Sequence, residues 1–542
     1  MKKCLKIAVL LTLCYCTSLN AQPTACFKQG KARVVIVGDS ITGQSRNVAS
    51  GYANQMEAAI RAVYPGCEPQ IISLGGSGQS VGSWQNVERK SQTKETFLDI
   101  KGIDVQQTLA QRADVLIIML GMNDVLAPYV ADNTQSIDKW QTRYEQLIEA
   151  LQQRVHPGVL ALAGVTPCTE EPTSPKNKMV DLLNERVRLL AEKYHARYLT
   201  TSQTVWTIFK DGRQKDHAFH VTADYVHPTT AGHIGIAMAM LQGLGENQAV
   251  KWLNDERLEP LMQKISEKKQ PFSWEIQAVF NPEKPDIAQY DIQFWFLNPN
   301  AIANVEPYVA IKLPQNWHSS MNAMNAMTGI FSIKGKPDQL LNTVTLTATM
   351  DKVEYKADIQ LPTPWLVGLK MNQRYWNRYD FDAEKARTPV DEVIEQNGDF
   401  TAPIDLGKGQ TLTWAPYYPS VNFTGGDDPS SVDFSALTHA DNFEGGYAAR
   451  WVHSDKDRTC IFEPKNRMFA GVFYLTAWVN AKQVYAAKPK RGDNVEIQLK
   501  QGWNTLVYKI NHHNWQWQVN LPITGKDGDD LSDLRYSITP QH

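Results

Sequence analysis

The chain holds 542 residues, 42% hydrophobic and 21% charged, with 55 Lys and Arg against 57 Asp and Glu. At roughly 100–200 residues per domain, that length calls for about three domains, each able to bury its own core. The near-balanced charge excludes a strongly basic nucleic-acid or anionic-membrane binder, and no segment is polar enough to read as long disorder.

Lys2, Lys3 and Lys6 precede an apolar run, Ile7 to Leu13, that is too short to span a bilayer. Ala21 offers a small residue for cleavage, although Leu19 at the −3 position is bulky. Residues 1–21 therefore read as an export signal cleaved after Ala21, which places the protein in the periplasm or outside the cell. A lipid anchor on Cys26 is the competing reading, weakened by Pro23 where Leu is expected. No later run is apolar and long enough for a transmembrane helix. Removal of the signal leaves Cys26, Cys67, Cys168 and Cys460, without CxxC or Cys/His metal spacing, so no structural metal is expected. Cys26 and Cys67 each shortly precede a predicted strand, and export permits a disulfide between them. Two separate buried thiols are the alternative.

From residue 28 to 245 short apolar runs alternate with amphipathic segments. Val34–Val37, Ile71–Leu74, Val115–Leu120 and Val159–Gly164 read as strands buried on both faces. Tyr52, Met56, Ala59, Ile60 and Val63 repeat at helical spacing. So do Trp140, Tyr144, Leu147, Ile148 and Leu151, and again Met179, Leu182, Leu183, Val187 and Leu190. This pattern predicts a parallel sheet covered by helices, with ligands bound beyond the carboxyl ends of its strands. Residues 246–270 read as a helical connector. From 271 to 362 apolar residues alternate, as in Ile292, Phe294 and Phe296 or Val344, Leu346, Ala348 and Met350. That pattern predicts a small Ig-like β-sandwich. Residues 363–542 form a second β-rich unit with strands at Val472–Val479, Val495–Leu499 and Thr505–Ile510.

Chemistry gathers at the strand ends. Gly38-Asp39-Ser40-Ile41-Thr42 follows the first strand, where a Ser projects at a helix N-terminus that favours developing negative charge. Asp-Ser is also an ordinary helix cap. Ser73 to Ser80 carries Gly75, Gly76 and Gly78, a plain glycine turn or a backbone N–H aimed at a reacting oxygen. Gly121-Met122-Asn123-Asp124 follows the third strand, and Asn123 is either a second donor or a cap. Finally, Asp224-Tyr225-Val226-His227-Pro228 puts an Asp three residues before a His, ahead of an apolar helix. Such an Asp can accept from one imidazole nitrogen and leave the other facing a nucleophile.

These four pieces, in this order over residues 28–245, resemble the SGNH hydrolases, the GDSL esterase family. The resemblance implies a flavodoxin-like three-layer α/β/α fold with a parallel sheet, followed here by an Ig-like and a jelly-roll-like β-sandwich. It implies Ser40 as nucleophile, His227 as base, Asp224 as its orienting acid, and Ser40, Gly78 and Asn123 as the oxyanion hole, with no metal or cofactor. Gly78 is chosen over Gly76 by its usual distance from the end of the second strand, where Ser73 replaces the Asn of many members. On this reading both Ser40 and His227 are exposed, and activity rises with pH as the imidazole loses its proton.

The family holds lipases, thioesterases and carbohydrate esterases, so the fold does not choose the ester. Export and an aromatic C-terminal half favour an acetylated polysaccharide or oligosaccharide, cleaved by an O-acetylesterase. A lipase-like, thioesterase or sugar methyl-esterase activity stays open, as does a glycan-binding protein with a vestigial esterase domain. Trp515 and Trp517 share a strand face and are the candidate sugar platform. His217 and His220 are candidates for the active-site loop, His233 for the following helix, and neither these nor the His512-His513 pair is assigned a metal.

Overall fold

The computed structural model describes residues 25–28, 30–93, 99–100, 103–127, 129–266, 272–279, 287–296, 308–324, 328–350, 353–372, 386–407, 409–419, 431–434, 437, 444–466, 472–490, 492–512 and 517–540. Residues 1–21, expected from sequence to be an export signal, lie outside them. Among the described residues no helix is long and apolar enough to cross a membrane.

The apolar runs become β1 (Lys31–Gly38), β2 (Glu68–Gly75), β3 (Val115–Met119) and β4 (Val159–Ala163). With β5 (Arg197–Leu199) they form a parallel sheet in the order β2-β1-β3-β4-β5. Val34 to Val37 and Val115 to Ile118 are wholly buried, so the two faces of these strands are covered alike and no polar alternation appears. One helical layer contains α1 (Ser40–Asn47), α2 (Tyr52–Val63), α6 (Thr201–Lys215) and α7 (Thr230–Gly243). The opposite layer contains α3 (Val81–Thr93), α4 (Thr134–Val155) and α5 (Pro175–Lys193). The unit is thus a three-layer α/β/α fold in the flavodoxin-like strand order.

Sequence reading missed β5, whose three residues Arg, Tyr and Leu make no apolar run. Leu182 is exposed although it falls within the predicted stripe, because the buried face of α5 runs through Met179, Val180, Leu183 and Val187. The predicted connector is helical, over Asn247–Leu253 and Glu259–Ser266 around a π-turn. It is no loose tether, since Ala249, Leu253, Leu258 and Met262 belong to the core of the α/β unit.

The next unit packs two antiparallel sheets over one core. One sheet holds Phe272–Ala278, Ala288–Phe296, Thr328–Gly335 and His318–Met324, and the other holds Tyr308–Lys312, Leu341–Met350 and Val353–Pro362. Tyr290, Ile292, Phe294 and Phe296 alternate inward against Val344, Leu346 and Ala348. In the last unit a large antiparallel sheet is built around Glu444–Ser454 and Gly502–His512. Its alternate residues feed two cores, Leu506, Tyr508 and Ile510 on one face and Val507 on the other. A smaller sheet of Arg458–Phe462, Val495–Leu499 and Ile523–Gly525 covers the first of these faces.

One expectation needs correction. Trp517 is fully buried, stacked 4.6 Å from Phe434 and 5.4 Å from His512, so it serves the core and offers no face to a sugar. Trp515 and His513 lie outside the described residues. Cys67 is a buried thiol, whereas the side chain of Cys26, its expected disulfide partner, lies outside the described residues. Burial, together with the nearby Glu246 and Glu68 carboxylates, raises the Cys67 pKa and keeps it protonated, with Arg61 opposing.

Candidate active site

The turn from β1 into α1 is tight. A Cβ on Gly75 would fall 2.1 Å from the Gly43 nitrogen, so only glycine lets the end of β2 lie against α1. Asp39 caps α1 by accepting the Ile41 N–H at 2.9 Å. Cap and candidate nucleophile are therefore neighbouring residues, and the Ser40 hydroxyl is left for other work.

Its partner is His227, whose Nε2 stands 2.9 Å from Ser40 Oγ. The His sits on the loop between α6 and α7, closed by a bridge between Thr222 and Pro228 and by the Ala223 N–H donating to the His227 carbonyl at 2.8 Å. Tyr225 turns this loop with a left-handed φ of 70°. Asp224 Oδ1 accepts the backbone N–H groups of His227 at 2.7 Å and Val226 at 3.2 Å. Its Oδ2 lies 2.7 Å from His227 Nδ1, and an ionised carboxylate, which only accepts, assigns the proton to that nitrogen. Partial burial acts to raise the Asp224 pKa, but the imidazole hydrogen bond and charge outweigh it and the pKa is lowered. Ser40 is half-buried, whereas His227 is only 8% exposed, more covered than its sequence position implied.

The other two predicted residues meet nearby. Asn123 lies in the short helix Met122–Leu126, which Gly121 caps, and its amide donates to the Gln79 carbonyl at 2.9 Å. Asn123 thereby ties the turn after β3 to the turn after β2, one residue beyond Gly78. Gly78 adopts a left-handed φ of 72°, a conformation open to glycine. Ser73 is buried, its hydroxyl 2.8 Å from that of Ser45, and it fastens β2 to α1.

Sequence reading passed over two buried acids at this edge. Burial pushes Asp39 up to about 6, opposed by the Ile41 N–H and the His227 charge. Burial likewise pushes Asp124 up to about 7, against the Val81 N–H that it accepts at 3.1 Å. It also passed over Glu170, which reads as one more polar residue in a loop. Glu170 Oε1 accepts the N–H groups of Val221 at 2.7 Å and Thr222 at 2.9 Å, while Oε2 lies 2.5 Å from His220 Nδ1. His217 and His220 both lie in the loop between α6 and α7, as expected, His220 held by Glu170 and His217 stacked on Trp274 of the next unit with ring centroids 3.6 Å apart. His233 is buried on α7, which pushes its pKa down to about 4. Among the described residues no three His, Cys, Asp or Glu side chains converge as a metal cluster.

Residues 36–233 match the GDSL-like Lipase/Acylhydrolase family. An acetylxylan esterase of Geobacillus stearothermophilus is 24% identical over 225 residues, spanning 39% of this chain and 94% of that protein. Among solved structures, Axe2, an acetylxylan esterase of the same organism, is 22% identical, with 40% of this chain and 94% of that one covered and a TM-score of 0.31. LAE5, an alpha/beta hydrolase from the metagenome of Lake Arreo, Spain, is 20% identical, covering 40% and 95%, also with a TM-score of 0.31. Residues 36–233 of the α/β unit are thus similar to the GDSL-like lipase/acylhydrolases, or SGNH hydrolases, and the protein is a carboxylic ester hydrolase.

Proposed function

We propose that this protein is an exported serine esterase that removes acetyl groups from a polysaccharide or its oligomers, with Ser40, His227 and Asp224 as its triad. The observation that carries the reading is the unbroken hydrogen-bonded chain Ser40 Oγ, His227 Nε2, His227 Nδ1 and Asp224 Oδ2. A Ser hydroxyl is a weak nucleophile, so His227 takes its proton as Oγ attacks the ester carbonyl. Asp224 holds the imidazole in the accepting tautomer and stabilises its cation. The oxyanion is met by the Ser40 and Gly78 N–H groups and the Asn123 amide. His227 then protonates the departing sugar hydroxyl, and water repeats the cycle on the acetyl-Ser40 ester.

The acetylxylan esterase likeness of the α/β unit supports the acetyl and carbohydrate parts of this reading. Residues 28–245 form the catalytic domain, 271–362 and 363–542 the two β-domains, and residues 1–21 the signal that is removed on export. Acetate release from acetylated xylan and other acetylated polysaccharides, beside short- and long-chain nitrophenyl esters, tests the reading. Ser40→Ala abolishes every activity while the melting temperature is preserved. Full activity in Ser40→Ala defeats the triad, and preference for long acyl chains defeats the carbohydrate assignment.

A further inference from the structure

We propose that the middle β-sandwich and the segment Thr169–Glu170 form one brace that positions the Asp224/His227 loop, with Glu170 as its positioning residue. The proposal rests on the triad reading above.

The brace grips the loop at several points. Glu170 Oε1 takes the Val221 and Thr222 N–H groups and lies 3.2 Å from the Thr222 hydroxyl. The adjacent Thr169 N–H donates to the Tyr225 carbonyl at 2.6 Å, and Tyr225 lies between Asp224 and His227. The segment is itself fixed, since the Asn177 side chain on α5 accepts the Cys168 N–H and donates to the Thr169 and Glu171 carbonyls. Burial of Glu170 acts to raise its pKa, but His220, the Thr222 N–H and Arg213 outweigh it, so it stays charged. A buried carboxylate with this many donors is a fixed point, because moving it leaves several polar groups unsatisfied.

Arg213 joins this point to the β-sandwich. Its guanidinium lies 3.4 Å from Glu170 and donates to the His217 carbonyl. Its own carbonyl accepts the Ser273 hydroxyl at 3.3 Å, and the Gln214 carbonyl accepts the Trp295 indole N–H. His217 completes the contact by stacking on Trp274, which is packed in the sandwich core. The β-sandwich therefore holds the end of α6, from which the loop to Asp224 and His227 departs. A module that only spaced the outer domains would have no reason to do so.

The test uses the full chain and 4-nitrophenyl acetate. Glu170→Ala lowers kcat about 30–100-fold with KM changed less than about threefold, the range expected of a base displaced by about 1 Å. Glu170→Gln recovers much of this loss, because its amide oxygen still accepts from Val221 and Thr222. Amide exchange over residues 216–228 speeds up in the Ala variant. His217→Ala combined with Trp295→Phe, which touches no reacting atom, lowers kcat about 3–10-fold by loosening the same loop. Should Glu170→Ala unfold the protein, the Gln variant and the double variant carry the test. An inactive Ser40→Ala protein beside brace variants within twofold of wild-type kcat overturns the proposal, as does a loss confined to KM. Full activity in Ser40→Ala instead removes the triad reading beneath it.

Discussion

In the proposed triad, replacing Asp224 by Asn separates orientation from charge, and the hydrogen bonds of Asp224 predict which way the new amide points. Asp224 Oδ1 is anchored by the backbone N–H groups of Val226 and His227, which require an acceptor. In Asp224→Asn the amide oxygen takes that place, so the NH2 group falls where Oδ2 now stands, 2.7 Å from His227 Nδ1. A donor there forces Nδ1 to accept and moves the ring proton to Nε2, which faces Ser40. The imidazole then has no lone pair for the Ser40 proton. The expected loss in kcat is about 10⁴-fold, or about 5.4 kcal/mol in the barrier. Asp224→Ala removes the orienting group but imposes no tautomer, so it is milder than the Asn variant by about tenfold. Steady-state hydrolysis of 4-nitrophenyl acetate by both variants, with melting curves as a check on folding, measures the difference. An Asn variant that keeps a tenth of wild-type activity, or one that outperforms the Ala variant, refutes the argument.

Asn123→Ala should raise the barrier by about 2.7–4 kcal/mol, a loss of about 10²–10³ in kcat, since it removes the proposed oxyanion donor and frees the Gln79 turn. A fall of less than fivefold in single-turnover acylation would show that Asn123 only braces that turn. Asp124→Asn keeps an oxygen for the Val81 N–H but removes a buried charge. The folded pKa, about 7, lies above the ordinary 3.8, so wild type loses stability as pH rises between these values and the Asn variant does not. The gain in melting temperature should therefore grow from pH 4 to pH 8, and a gain that shrinks with pH would contradict it. In the last unit, Lys509 and Asp391 form a buried pair at 2.6 Å. Lys509→Ala strands the carboxylate and should cost about 3–5 kcal/mol in urea unfolding of the full chain, and an unchanged profile would show the pair to be dispensable.

What sequence reveals here follows from the range of the forces involved. β1 to β4 announce themselves because a strand buried on both faces must be apolar throughout, whereas β5 borrows its place from β4 and carries no such mark. Ser40, Asp224, His227, Asn123 and Gly78 can be proposed from sequence because each stands in a short motif beside a strand end or helix start. Glu170 and Arg213 cannot, since their meaning lies in each other and in the loop from Val221 to Tyr225. The misreading of Trp517 has a similar cause. Period-two alternation says which residues share a face, and only the covering Phe434 says that this face is closed.

The hydrogen bond between Ser40 and His227 joins residues 187 positions apart. Within the α/β unit that makes it a late closure, since the loop it shuts contains nearly the whole parallel sheet. On the proposed triad, a nascent chain can complete β1 to β5 and still leave Ser40 without its base. If these two residues are the proposed reacting pair, reactivity waits for the segment after α6, so the pair doubles as a check that everything between its members has been assembled.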